Sequence, residues 1–266
     1  MTSILQFSDI HFGVEDREAM AAVKDYSDSL APDVVVICGD ITQDGKTSEF
    51  KSARDWIARF SGPKVITPGN HDIPVYGVFQ RLFDPFGRYN KYIAPLSDGV
   101  YIDESVAIFP YNTSRGIQAK LDWSLGVVDV ADLKRVTDAF SYLPPRVLKL
   151  LAVHHPLIYP PNTPLSGDTK NGHAAMDMLG TADIGGILSG HVHTPFVIER
   201  TPKKSEILSI GSGTLSTRIR GKPASFNHVE VSKDDVKVTA IDWINGHFVR
   251  QETWRKDRAP LQKTGP

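Results

Sequence analysis

Up to about residue 70 the chain alternates short apolar runs with amphipathic stretches, a pattern that predicts strand–helix units. Ile4-Leu5-Gln6-Phe7 is the first apolar run, and Met20, Val23, Tyr26 and Leu30 give residues 16–30 a helical stripe. Residues 33–38, containing Val34-Val35-Val36-Ile37-Cys38, are apolar and largely β-branched, as expected of a parallel strand buried on both faces. A second helix is predicted over 47–60, where Phe50, Ala53, Trp56, Ile57 and Phe60 share one side. Lys64-Val65-Ile66-Thr67 is a third strand, stopped by Pro68-Gly69. Residues 73–98 are rich in aromatics, proline and arginine with weak periodicity, which suits a cap or loop-rich segment. Strands are then predicted at 99–103, 105–110, 147–153 and 184–189, with a helix at 130–142 ended by Pro144-Pro145 and a shorter one before the last strand. From 195 to about 249 strand spacing dominates, as in the alternation over Ser225–Val231, and from Arg255 a polar tail begins.

The chemistry lies in what ends the apolar runs. They finish in Ser8-Asp9-Ile10-His11, Gly39-Asp40, Gly69-Asn70-His71-Asp72, His154-His155 and Gly190-His191-Val192-His193. In parallel α/β sheets the carboxyl ends of the strands converge on one edge, where ligands bind. Any one of these motifs is commonplace as a turn. Five of them, each carrying a metal-ligand type and each following a buried strand, are not explained as independent turns. Imidazoles and carboxylates without thiolates suit Mn, Fe, Zn, Co or Ni. A pair of divalent ions carries four positive charges and Asp9 and Asp40 return only two, so the surplus favours hydroxide and phosphate oxygens. Two metals about 3.5–4 Å apart can clamp the attacking and leaving oxygens of an in-line displacement.

Composition narrows the class. At 266 residues and 41% hydrophobic content the chain can bury a substantial core. A net charge of −1 gives no broad basic surface, so a small substrate is expected rather than long nucleic acid. Cys38 is the single cysteine, which excludes an internal disulfide and a thiolate cluster and suits a small buried side chain. No secretory pattern and no apolar run of about 20 residues is visible, so no membrane association and a cytoplasmic location are expected. The sequence leaves a homo-oligomer open.

Asp9-x-His11, Gly39-Asp40, Gly69-Asn70-His71-Asp72, His154 and Gly190-His191-x-His193 resemble the full motif set of the calcineurin-like metallophosphoesterase superfamily, over residues 8–193. Spacing and size are similar to the bacterial class III cyclic nucleotide phosphodiesterase branch. The resemblance implies an α/β fold, a four-layer α/β/β/α sandwich of two mixed sheets, with a dimetal site at the strand C-terminal ends. It also implies one domain over 1–254, with 73–98 as a cap segment and 255–266 as a tail. By the same resemblance Asp9, His11 and His193 hold one metal, Asn70, His154 and His191 the other, and Asp40 bridges them. His154 is taken as ligand over His155 because the family's ligand directly follows the strand. His71 lies beside the site as a general acid, oriented by Asp72, and Asn70 and His71 also face substrate. The implied reaction is hydrolysis of cyclic nucleotides or other small phosphodiesters by attack of a metal-bound hydroxide. A phosphomonoesterase and a non-catalytic scaffold are the alternatives.

Outside these motifs, Asn112 and Arg115 sit in a polar loop after a strand and are candidates to contact substrate, with Arg115 suited to a phosphate oxygen. His173 is read as a loop or helix-cap residue. Arg218 and Arg220 flank Ile219 with strand-like alternation and are read as a solvated sheet face. The aromatics of 76–92 are read as packing of the cap.

Overall fold

In the computed structural model, which describes residues 1–117, 124–163, 165, 168–203 and 205–258, two six-stranded sheets stack face to face. The first is built from β1 (Thr2–Phe7), β2 (Val34–Cys38), β3 (Lys64–Thr67), β10 (Ser225–Val231), β11 (Asp235–Ile244) and β12 (His247–Asp257). Its order is β12-β11-β10-β1-β2-β3, parallel from β1 to β3 and antiparallel through β10 to β12. The second contains β4 (Tyr101–Ile102), β5 (Val106–Pro110), β6 (Leu148–Ala152), β7 (Gly186–Ser189), β8 (Phe196–Arg200) and β9 (Ile207–Gly211). It runs β4-β5-β6-β7-β9-β8, parallel from β5 to β9 with antiparallel edges.

Three apolar layers define the sandwich. Helices α1 (Arg17–Leu30) and α2 (Thr47–Ile57) pack Met20, Val23, Phe50, Trp56 and Ile57 onto Leu5, Phe7, Val35 and Ile37. The alternate side chains Ile4, Val34, Val36 and Cys38 meet Ile108, Leu150, Leu188 and Ile210 between the sheets. Helices α5 (Val130–Phe140) and α6 (Gly172–Thr181) close the far face with Leu133, Phe140, Met176 and Leu179. The result is the expected α/β/β/α order. Gln6 lies within the dry middle layer, where its amide donates to the Ser189 carbonyl at 2.9 Å and accepts from Asn227 Nδ2 at 3.1 Å. A buried amide satisfied on both sides ties the sheets together just below the strand ends.

Residues 225–231 form the expected strand, β10, and Ser225, Asn227 and His228 are all buried because β10 lies inside its sheet between β1 and β11. Two expectations change. The frayed tail does not start at Arg255. Strand β12 continues to Asp257 opposite Asp235, with Arg255 Nε 2.7 Å from Asp235 Oδ2, and its polarity is that of an edge strand facing water. The rest of that expectation, 259–266, lies outside the described residues. Segment 73–98 forms two short helices, α3 (Val78–Phe83) and α4 (Gly87–Tyr92), and Phe86, Tyr92, Ala94 and Leu96 pack against the α1/α2 core.

Helix α1 is capped at its start by Asp16, whose carboxylate accepts from the Ala19 amide at 3.1 Å, but it ends on Ala31 with φ 49° and ψ 61°. A Cβ in the left-handed region costs roughly 1–2 kcal/mol. Ala31→Gly is therefore expected to stabilise the fold by about 1 kcal/mol, after the entropy cost of glycine is subtracted. A urea midpoint equal to or below that of the wild type would contradict this.

Candidate metal centre

The parallel strands of both sheets run toward the same edge, and their connecting loops interlock there. The amides of Asp9 and His11 donate to the carbonyls of Gly39 and Asp40, both at 3.0 Å, and the Gly190 amide donates to the His154 carbonyl at 2.9 Å. The approach is so close that a Cβ on Gly190 would strike Ser8 Oγ. Gly39, at φ 74°, would place a Cβ 2.7 Å from the Gly69 nitrogen. The backbone also turns through the left-handed region at non-glycine residues: Asp9 (φ 53°), His11 (49°), Asp40 (50°), His191 (69°) and His193 (61°). Each such residue costs of order 1 kcal/mol or more, and strain of this kind collects at functional sites. Here it falls on five of the seven expected ligands.

Their side chains converge in a buried cluster. Asp9 Oδ1 is 3.1 Å from His193 Nε2 and 3.8 Å from His11 Nε2, and those two nitrogens are 3.3 Å apart. His154 Nε2 lies 3.2 Å from Asn70 Oδ1 and 3.3 Å from His191 Nδ1. Between the two groups stands Asp40, whose Oδ2 is 3.3 Å from His154 Nε2 and 3.8 Å from His11 Nε2, while its Oδ1 accepts the His71 amide at 2.8 Å. The structure thus brings together all seven expected ligands, as two triads sharing one carboxylate oxygen.

Several features of the donor set fit metal ions. Asp9 Oδ1 is fully buried and has no hydrogen-bond partner, although Oδ2 accepts from Ser8 Oγ at 2.6 Å and the His191 amide at 2.7 Å. An orphaned carboxylate oxygen in the interior needs a counter-charge. Burial pushes His11 and His191 down to about 3, so both are neutral imidazoles with a free lone pair. In two of the four histidines the second ring nitrogen is held by a carbonyl: His154 Nδ1 donates to Cys38 O at 2.8 Å and His193 Nδ1 to Arg218 O at 2.7 Å, which leaves each Nε2 as the donor to a cation. Burial disfavours charge on His154, but Asp40 outweighs it and raises the imidazole to about 9, so the position between them already favours a cation. For Asp9 and Asp40 burial acts the opposite way, yet the neighbouring histidines hold both carboxyls well below their ordinary value.

The adjacent pair of histidines separates cleanly. Both ring nitrogens of His155 are bonded within the protein, Nδ1 to Thr113 Oγ1 and Nε2 to the Ser124 carbonyl, each at 2.8 Å. Its lone pair is used by a hydroxyl, which leaves His154 to face the cluster.

Other expected roles change. Asp72 does not orient His71. Its carboxylate accepts from the amides of Thr42 and Gly69 at 2.8 Å, from the Ile41 amide at 3.2 Å and from Thr42 Oγ1 at 2.9 Å, so it ties the β2 and β3 loops together. Burial first and then the charge of Asp40 raise it to about 6. The His71 ring is set instead by Nδ1 donating to the Gln43 carbonyl at 2.7 Å, and its Nε2 accepts from Arg218 Nη1 at 3.1 Å. That is the neutral Nδ1–H tautomer, with no proton on Nε2 to give a leaving group. Asn112 Oδ1 caps the Ser114 amide at 2.8 Å, and Arg115 Nη1 returns to the carbonyls of Asn112 and Ser114 at 3.1 and 2.9 Å, so both shape their own loop. His173 is exposed, 3.5 Å from Asp168.

Arg218 and Arg220 are not on a sheet face. They lie in the connection from β9 to β10, which passes over the cluster. Two-residue alternation is shared by strands and by extended loops, and the signal that separates them, Gly221 directly after Arg220, was available in the sequence.

With this geometry in place the comparisons agree. Residues 2–195 match the profile of the calcineurin-like phosphoesterase family. The chain belongs to that family. A Synechococcus protein named "Probable cyclic nucleotide phosphodiesterase syc0937_d" is 25% identical over 91% of this chain and 92% of its own length. The 3',5'-cyclic adenosine monophosphate phosphodiesterase CpdA of Escherichia coli K12 is 27% identical over 58% of this chain and 55% of its own. A dimetal phosphatase from Danio rerio superposes with a TM-score of 0.68 at 12% identity, covering 96% of this chain and 98% of that one, a likeness of fold. In this calcineurin-like phosphoesterase, the clustered Asp and His groups suit the binuclear metal site of such enzymes. Among the described residues no helix is long and apolar enough to cross a membrane.

Proposed function

We propose that this phosphoesterase hydrolyses small phosphodiesters, cyclic nucleotides foremost, with Mn, Fe, Zn or Co at its binuclear site. The observation that carries the reading is Asp40 Oδ2 standing between two triads of oxygen and imidazole donors. Asp9, His11 and His193 would hold one ion, Asn70, His154 and His191 the other, and Asp40 both. When bound, the pair supplies Lewis-acid polarisation of phosphoryl oxygens and lowers the pKa of water. The chain's own residues do the rest. Asp9 and Asp40 return two of the four positive charges and leave a surplus for an anionic substrate. Gln43 and Arg218 hold the His71 ring at the edge of the cluster, 4.9 Å from the His11 ring. Asn112 and Arg115 would contact substrate only by leaving their intraloop bonds, in the loop where Ser114 Oγ reaches the Pro68 carbonyl at 3.5 Å. The names of the two curated relatives favour diesters and cyclic nucleotides over monoesters.

The reading is tested by a panel on metal-defined protein: 3′,5′- and 2′,3′-cyclic nucleotides, glycerophosphodiesters, bis(p-nitrophenyl) phosphate and p-nitrophenyl phosphate. It expects kcat/KM for the aryl diester to exceed that for the monoester by at least about tenfold, roughly 1.4 kcal/mol in the barrier. The reverse order would make the enzyme a monoesterase.

A further inference from the structure

The connection from β9 to β10 is fastened on both sides of the metal centre. The Thr217 amide and hydroxyl donate to the Val14 carbonyl at 2.9 and 3.0 Å, Ser216 bridges Glu15, and the Arg218 carbonyl accepts from His193. This backbone delivers two guanidinium groups. Arg218 Nη1 donates to Gln43 Oε1 at 3.2 Å and His71 Nε2 at 3.1 Å and stands 3.4 Å from His11 Nδ1, none of them a carboxylate. Arg220 Nη1 is buried and has no hydrogen-bond partner. Asp9 and, less strongly, Asp40 act on the Arg220 charge, which sets it beside the same cluster. Arg218 therefore covers the His11/His71 side of the cluster, and Arg220 follows it two residues on.

Charge decides what these groups can be for. The nearby carboxylates, Asp9 and Asp40, are committed to the metal centre, and among the described residues neither guanidinium forms an ion pair. The centre with two divalent ions already carries the surplus that a singly charged diester needs. Two further cations, one with a buried unmet N–H, call for additional negative charge, and the guanidinium fork matches phosphate or carboxylate oxygens.

We propose that Arg218 and Arg220 form an anion clamp beside the metal centre that selects substrates carrying a second anionic group next to the scissile phosphodiester. The proposal rests on the phosphodiesterase reading and revises its order: a cyclic nucleotide carries one negative charge, so small diesters with a second anionic group rank above it. It places the second group, a phosphate or a carboxylate, on the Arg220 side.

The test is a binding measurement, so that it does not depend on turnover. Thymidine 3′,5′-bisphosphate and thymidine 5′-monophosphate are titrated calorimetrically into metal-loaded wild type, Arg220→Gln and Arg220→Lys. The bisphosphate is expected to bind the wild type at least about tenfold more tightly, one charge-assisted contact. Arg220→Gln should lose most of that preference with its metal content unchanged, and Arg220→Lys should keep part of it. Equal affinities in the wild type, an undiminished preference in Arg220→Gln, or loss of metal from that variant would overturn the clamp. Hydrolysis of bis(p-nitrophenyl) phosphate by the same preparation reports on the underlying reading. Turnover without bisphosphate preference rejects the clamp alone, and preference without turnover rejects the diesterase alone.

Discussion

Asp40→Ala is expected to lose most bound metal and at least about a thousandfold in turnover. The oxygen removed stands between the triads, 3.3 Å from His154 Nε2 and 3.8 Å from His11 Nε2. Its loss weakens both sites together and takes away one of two carboxylates that balance the ions. Metal ions supply several kcal/mol of charge stabilisation in such reactions, which sets the thousandfold scale. Asp40→Asn separates charge from shape, because an amide oxygen can still accept the His71 amide that Oδ1 now takes at 2.8 Å. The asparagine variant is expected to keep its fold by circular dichroism and still lose metal by elemental analysis. Full metal content in either variant would show that Asp40 is not shared.

His71→Ala is expected to retain its metal and lose about a hundredfold in kcat, within the range of a group acting on the transition state. The more informative outcome is its dependence on the leaving group. A general acid matters most when the leaving group is a poor one, so the sequence-based role predicts a small loss for nitrophenyl esters and a large one for alkyl esters. The structure points the other way: His71 Nδ1 is committed to Gln43 and Nε2 accepts from Arg218, so the ring holds a guanidinium in place. Losses within about threefold of each other on the two leaving groups are therefore expected, small against the effect of a general acid. A loss confined to alkyl esters would restore the general-acid role and mean that Arg218 moves away during the reaction.

Much of the site was legible because the chain places its chemistry at the ends of buried strands. Apolar β-branched runs announce parallel strands, parallel strands share an edge, and Asp9, Asp40, Asn70, His154, His191 and His193 follow such runs within a few residues. The four layers follow from the same runs, since a strand apolar on both faces needs cover on both. What stayed hidden depends on which partner a polar atom finds in space. Asp72 is one residue from His71, yet its carboxylate turns to the amides of Ile41, Thr42 and Gly69. His155 and His154 differ only in which side of the strand end they leave by, and a hydroxyl from Thr113 marks the non-ligand. Arg218 and Arg220 come after the family's motifs and on a loop whose alternation mimics a strand, so their proximity to Asp9 and Asp40 follows only from how that loop folds back. The extension of β12 past Arg255 was hidden for a related reason, as edge strands carry the same polar residues as tails.

Whether one carboxylate oxygen joins the two triads into a binuclear centre is decided by a crystal structure of the manganese-loaded protein with anomalous scattering recorded at the metal edge. Two peaks about 3.5–4 Å apart are expected, flanking Asp40 Oδ2, one among Asp9, His11 and His193 and the other among Asn70, His154 and His191. A single peak, or a second peak held by His155 in place of His154, would contradict this assignment.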